Sequence, residues 1–228
     1  MNLDKIEQQI KDFSWQEKLL FIAKNYYDIT FSTSFSIEDQ VITHFIAKNK
    51  LPITIFTIDT GRLPLETYQL WQKTLDIYQI KIFAFYPDAK DIGKFVAQNG
   101  IDAFYKSKEL RLNCCNIRKV KPLKKALLDS KLWISGVRKE HSSKRGGKEF
   151  FELDKILGVN KFYPLLQTTE KEILDYLKAN NTPFSSLYEQ GFKSIGCAPC
   201  TRAVKDGEDF RAGRWWWEGG KKECGLHK

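Results

Sequence analysis

No apolar run in the 228 residues approaches the ~20 needed to span a membrane. The opening stretch MNLDKIEQQIKDFSWQEK has no secretory hydrophobic region. These two absences point to a soluble cytoplasmic protein. There is no Walker A string (GxxxxGK followed by Ser or Thr) and no GxGxxG, so both common glycine-rich phosphate loops are missing. Zinc-finger histidine spacing, RNP-like aromatic motifs and basic heptads are missing too, which argues against the familiar nucleic-acid readers. No internal repeat or low-complexity tract occurs. Cysteine is scarce: the five present are unevenly spaced and odd in number. In a reducing compartment such a set suggests metal binding or catalysis before disulfides, and it leaves one sulfur over.

What is present is ordinary in bulk, with 42% hydrophobic and 29% charged residues. A chain of this size buries roughly 70–75% of its unfolded surface, so its core needs no disulfide staples. The charge is unevenly placed. Of a net +9, residues 101–148 carry 14 Lys/Arg against 4 Asp/Glu, and the remainder is close to neutral. An anionic partner belongs near that stretch, and a small phosphorylated ligand suits it better than nucleic acid.

Strand-like runs at 30–35, 52–59, 81–86 and 132–137 alternate with helical patterns at 38–49, 63–78, 91–98 and 122–128, where Pro64 and Pro122 suit first helical turns. Such alternation predicts an α/β fold: a doubly wound, mostly parallel sheet whose ligands bind beyond the carboxyl ends of the strands. After an apolar run at 162–166, Thr169 and Glu172 form a capping box that opens a further helix. Residues 1–205 make up the α/β domain, and 206–228, rich in Gly, Arg, Lys and Trp without periodicity, read as a loop-like or mobile C-terminal tail.

The stretch STSFSIEDQ, residues 32–40, ends a strand in hydroxyls and starts a helix at once. Ser36 can cap that helix, and unpaired N–H groups with the Ser34 and Ser36 hydroxyls can face a phosphate; a plain helix cap explains the string equally well. Asp59, in TIDTGRLPLETY, could reach a ribose hydroxyl or serve only the turn. The specific constellation is Cys114–Cys115 with Cys197-Ala-Pro-Cys200, four soft ligands suited to an iron–sulfur cluster or to tetrahedral zinc. A tandem pair needs a turn or helical backbone to aim both sulfurs at one centre, an uncommon zinc arrangement. Two separate buried pairs are the structural alternative. Arg118, Lys119, Lys121 and Arg202 flank the sulfurs, while Arg211 and Arg214 stand beside Trp215, Trp216 and Trp217, where guanidinium forks could grip phosphate or sulfate under a tryptophan. Those tryptophans could equally pin the tail to the core. Cys224 has no sulfur partner. Lys221, Lys222 and His227 favour its ionisation, Glu223 opposes it, and Gly225 gives its backbone freedom, so it is a candidate nucleophile.

Through SFSIEDQV, DTGRLPLETY, CCNIRKVKPL, WISGVRKEHS, SIGCAPCTR, GRWWWE and KECGLH the chain resembles the sulfonucleotide reductases, specifically the cluster-bearing adenylyl-sulfate reductase branch of the phosphoadenylyl-sulfate reductase family. The resemblance implies an adenine-nucleotide α-hydrolase-like sheet, one [4Fe-4S] cluster on Cys114, Cys115, Cys197 and Cys200, and Cys224 as nucleophile. It puts Lys119, Arg145, Arg211 and Arg214, with His227, around the phosphosulfate, and Ser34, Ser36 and Gly136 at the nucleotide-binding strand ends. It further implies reduction of adenylyl sulfate to sulfite and AMP through a Cys224 S-sulfocysteine resolved by thioredoxin, in sulfate assimilation and cysteine biosynthesis. A homo-oligomer is compatible with it. Two departures stand out: LPLETY in place of LFPETY, which alters how that helix begins, and Ile37, bulky where many relatives are small.

Three alternatives stay open at this point. The same chemistry could act on the 3′-phosphorylated nucleotide. An ATP-dependent adenylating or thiolating enzyme could use a similar sheet, although SFSIED lacks the glycines of an SGGxDS-like loop. A zinc-stabilised nucleic-acid-binding module is the non-enzymatic reading.

Overall fold

The computed structural model describes residues 3–141 and 149–219. Six strands form one sheet: β1 (Ile29–Ser32), β2 (Thr54–Ile58), β3 (Ile82–Phe85), β4 (Leu132–Ile134), β5 (Phe151–Asp154) and β6 (Val159–Phe162), in the order β3-β2-β1-β4-β6-β5. Every pair is parallel except β5 with β6, which closes one edge as an antiparallel ribbon. The chain runs outward from β1 to β3 and then returns to place β4 on the other side of β1. That reversal opens a crevice beyond the carboxyl ends of β1 and β4, where open α/β sheets bind ligands.

The helices are α1 (Leu3–Ile10), α2 (Trp15–Asn25), α3 (Ile37–Lys48), α4 (Leu65–Tyr78), α5 (Ala89–Asn99), α6 (Lys108–Cys115), α7 (Lys121–Ala126) and α8 (Glu170–Ala179). A single wide π-helical turn, Asn116–Val120, joins α6 to α7. Side-chain alternation along the strands makes two cores. Phe31, Ile55, Ile134 and Phe162 meet Val41 and Ile42 of α3 and Ile173 of α8 on one face. Phe56, Trp133 and Val159 meet Leu123 and Leu127 on the other. Ile37 packs into the first core, so its bulk points away from the crevice.

The capping box of Thr169 and Glu172 forms as expected, and a second one, Ser14 with Glu17, opens α2. Several boundaries move. β1 stops at Ser32 because Phe35 adopts φ +60°, turning the chain sharply. α4 starts at Leu65, with Pro64 as its cap residue outside the first turn. β4 stops at Ile134, releasing residues 135–137 to line the crevice. The irregular stretch 206–219 consists of turns, and it is docked: Trp215 is buried, Thr201 bridges Arg214, and Arg202 pairs with Glu208 across the expected domain boundary.

Candidate active site

A cavity of about 240 Å³ fills the crevice between β1 and β4. Ser34, Ser36, Lys119, Gly136, Arg211 and Arg214, all expected at the nucleotide or its phosphosulfate, line it together. Arg145, Cys224 and His227 lie outside the described residues.

The floor is the start of α3. Ser36 caps the helix, its hydroxyl accepting the Asp39 N–H at 3.2 Å. Ser34 is committed more fully than an open anion cradle requires: its N–H and its hydroxyl both donate to Asp39 Oδ2 at 2.7 Å. Burial pushes Asp39 up to about 6, against the pull of the Ser34 bonds and with a further push from Glu38. The charge of Glu38 is met by Arg138, whose Nε donates to it at 2.8 Å, and Arg138 also pairs with Glu140. A Cβ on Gly136 would stand 2.4 Å from Asp39 Oδ1, so only glycine lets the end of β4 approach α3 this closely. Trp133 Nε1 donates to Ser32 Oγ at 2.8 Å and forms part of the lining. The tryptophan at the cavity is therefore Trp133, and none of Trp215, Trp216 and Trp217 lines it.

The opposite wall is the segment 193–196, which leads into Cys197. Lys193 contributes a cation that sequence reasoning missed, held by Glu170 at 3.1 Å. A Cβ on Gly196 would fall 2.3 Å from Arg214 Nη2, so this glycine makes the space that the Arg214 guanidinium occupies. Asp59 serves its turn: it accepts from Gly61 N–H and from the Tyr68 hydroxyl, each at 2.8 Å, and does not line the cavity.

Behind this wall the four described cysteines come together. Cys115, Cys197 and Cys200 are buried in one cluster with Phe104 and Trp215, and Cys114 packs against it. None of the four is in a disulfide. They line a second, small cavity of about 20 Å³, and Lys119 lines both this cavity and the crevice. Cys114 and Cys115 end α6 just before the π-helical turn, the helical backbone that a tandem pair needs to turn two sulfurs inward. Burial pushes Cys114 up, opposed by Arg118, which hydrogen-bonds it. Burial pushes Cys200 up to about 12, reinforced by Cys197 and Cys115. Cys197 goes the other way: burial raises it, but Lys119, a bond from the Thr60 hydroxyl at 3.2 Å, Arg214 and Arg118 together hold it below the usual thiol range. Among the described residues no three His, Cys, Asp or Glu stand as a single-ion site. Four soft donors converging in one buried pocket, ringed by cations that favour thiolate, nonetheless form a donor set that fits a thiolate-ligated iron–sulfur group.

Of the flanking cations, Lys121 and Arg202 turn elsewhere, to Asp91 at 2.6 Å and to Glu208 at 2.8 Å. Arg111 takes a place at the cysteines instead. It is four residues before Cys115 on α6, and Arg118 is four after Cys114 across the helical junction, a spacing from which both could have been anticipated.

An open, mostly parallel sheet reversing at β1, a basic crevice at the reversal and a thiol cluster behind its wall define a doubly wound α/β protein with a sulfur-rich centre beside its ligand crevice. A family model for the phosphoadenosine phosphosulfate reductase domain matches residues 28–203, and the chain belongs to that family. It is 44% identical over 207 residues to the adenosine 5′-phosphosulfate reductase of Burkholderia cepacia, covering 90% of this chain and 83% of the relative. It is 45% identical over 215 residues to the protein of the same name from Neisseria meningitidis serogroup B, covering 93% and 87%. The crystal structure of phosphoadenylyl-sulfate reductase from Candida auris, in a phosphate complex, superposes with a TM-score of 0.76 at 24% identity, covering 88% of this chain and 95% of that one, a likeness of fold.

Proposed function

We propose that this protein is an adenylyl-sulfate reductase that forms sulfite and AMP with electrons from thioredoxin or a similar dithiol protein. The observation that carries the reading is the shared position of Lys119, which lines the nucleotide-sized crevice and the cysteine-lined cavity at once. Adenosine occupies the crevice beyond β1 and β4, with Ser34, Ser36 and Gly136 at the strand ends. Lys119, Arg211, Arg214, Arg145 and His227 take the phosphosulfate.

The Cys224 thiolate attacks the sulfonyl sulfur. A sulfur–sulfur bond forms, the bond from sulfur to the bridging oxygen breaks, and AMP leaves with the electron pair, its charge stabilised by Lys119 and the arginines. A thiolate of the dithiol partner then attacks the Cys224 sulfur and expels sulfite. The partner's second thiol resolves the mixed disulfide, so the dithiol is oxidised by two electrons and Cys224 is regenerated. Cys114, Cys115, Cys197 and Cys200 would hold one [4Fe-4S] cluster, which supplies a fixed inorganic charge beside Lys119.

Among the described residues no helix is long and apolar enough to cross a membrane. We infer a cytoplasmic enzyme of sulfate assimilation and cysteine biosynthesis, with no nucleic-acid partner and a homo-oligomer compatible with the fold. The test is sulfite formation by anaerobically purified, full-length protein with reduced thioredoxin, offered adenylyl sulfate and its 3′-phosphorylated form in competition. Brown protein containing iron and acid-labile sulfide, turning over the unphosphorylated nucleotide, is expected. Colourless zinc protein, or a radiolabelled adduct that persists in Cys224→Ser, refutes the reading.

A further inference from the structure

The crevice wall that leads into Cys197 carries a cation at its far end. Lys193 lines the crevice three residues before Gly196, the glycine against which the Arg214 guanidinium packs. Three residues span at most ~11 Å, so Lys193 and Arg214 stand within the length of one bound nucleotide. The Lys193 ammonium is held by Glu170 Oε1 at 3.1 Å and lies over the Tyr188 ring, 4.7 Å from its centre. The Tyr188 hydroxyl donates to the same carboxylate oxygen, and Glu170 itself does not line the crevice. Glu170 is fixed in turn. It opens α8, and its N–H donates to Glu140 Oε2 at 3.0 Å. Arg138, which pairs with Glu140, donates to Thr168 O at 3.4 Å, and the Lys139 N–H donates to Leu166 O at 2.9 Å. The pair is therefore mounted on the continuation of β4, just past Gly136 and Val137, which line the crevice.

A nucleotide with its 5′ group at Lys119 and Arg214 and its base against the apolar lining of Ile58, Leu63, Leu123 and Trp133 has its ribose between Gly136 and the segment 193–196. We propose that Lys193 and Glu170 are the specificity-determining pair at the ribose 3′ position. Glu170 engages the ammonium that a 3′-phosphate would need and adds a negative charge of its own, so the nucleotide without that phosphate is preferred. This rests on the reading of the crevice as the adenylyl-sulfate site. The two side chains are 36% and 33% exposed, and a pair so placed contributes little to stability. Its charges still act on an anion beside them, and discrimination needs only a difference between two ligands. A unit charge ~7 Å from a doubly charged phosphate alters its affinity ~3- to 10-fold, less as salt is added.

The experiment measures the affinities of AMP and of adenosine 3′,5′-bisphosphate by calorimetry at fixed ionic strength. The proteins are full-length, cluster-loaded parent, Glu170→Gln, Lys193→Met and the double variant Glu170→Gln/Lys193→Met. The quantity read is the ratio of the two affinities, in which any loosening of the wall that affects both nucleotides cancels. The parent is expected to prefer AMP. Glu170→Gln should move the ratio ~3- to 10-fold toward the bisphosphate, Lys193→Met should move it away by a similar factor, and the double variant should return close to the parent. Opposite movements on removing the two charges are a signature that a merely structural pair does not give. A parent that prefers the bisphosphate overturns the proposal, as do single variants whose ratios stay within twofold or shift in the same direction. Should Glu170→Gln fold poorly, Lys193→Met decides alone, and a ratio that does not fall there overturns the proposal. A parent that binds neither nucleotide and forms no sulfite overturns the adenylyl-sulfate reading itself; a parent that binds AMP and forms sulfite, with ratios unmoved in the variants, overturns the role of the pair and leaves that reading intact.

Discussion

Replacing Asp39 by Asn tests the electrostatics of the crevice floor. Asp39 is 5% exposed; its carboxylate accepts two Ser34 donors through Oδ2 and is held at about 6 against an ordinary 3.8. An amide oxygen can accept the same two donors, so the substitution removes the charge while leaving the local hydrogen bonds available. Because the folded-state value lies above the unfolded one, the group's favourable contribution is complete below about pH 3.8 and is lost as pH rises through about 6. The full difference corresponds to about 3 kcal/mol of cost to the ionised form. Asp39 is also in the first turn of α3, where the helix dipole favours a negative charge and returns ~0.3–1 kcal/mol that Asn gives up. The net expectation is that Asp39→Asn is ~1–3 kcal/mol more stable than the parent at about pH 7.5 and nearly equal to it at about pH 4. Urea unfolding of the ligand-free protein at both pH values measures this. The reasoning is refuted if the variant is destabilised at the higher pH, or if the difference between the proteins is the same at both.

Gly196→Ala drives a Cβ into the Arg214 guanidinium, and is expected to weaken AMP binding at least ~10-fold in calorimetry, the scale of a lost charge-assisted bond, while the unfolding midpoint moves less than in Arg214→Ala. Gly136→Ala pushes α3 away from β4 at Asp39 and Glu38, and should cost ~1–3 kcal/mol by urea titration, with nucleotide binding lost in parallel. If the cysteines hold the proposed iron–sulfur group, removing it with a chelator should shift the Trp215 contribution to fluorescence, since the Trp215 backbone N–H bonds Cys200 O; an emission spectrum indifferent to iron content would contradict the proposed ligands.

The sheet was readable because the apolar β-branched runs of β1 to β4 alternate with helical spacing, and the sulfur centre because a CxxC beside glycine and proline is seldom mere packing. The polar stretch from Arg111 to Val120 hid a continuous helical segment, since apart from Ile117 its buried residues are Arg111, Cys115 and Arg118, whose inward direction hydropathy does not reveal. The ends of β1 and β4 were read too long because Phe35 and Val137 look like strand residues, whereas the turn at Phe35 and the close approach at Gly136 are tertiary facts. Trp215 between two arginines has the same spelling whether it covers a ligand or anchors a chain. The committed bonds of Ser34 were invisible for a similar reason: Asp39 reads as an ordinary first-turn acid until its burial is known.

The wide turn at Asn116–Val120, closed by Lys121 N–H on Asn116 O, works as a gear between two chambers. It changes the angular phase of the helix just after the tandem sulfurs, so that Arg118 can swing back to Thr60 O at 2.6 Å while its neighbour Lys119 spans the partition. Deleting one residue there would restore a regular winding and rotate both cations off their targets without altering a single cysteine. A change in the length of the partition should therefore be costlier than substitution at those of its positions that carry neither cation.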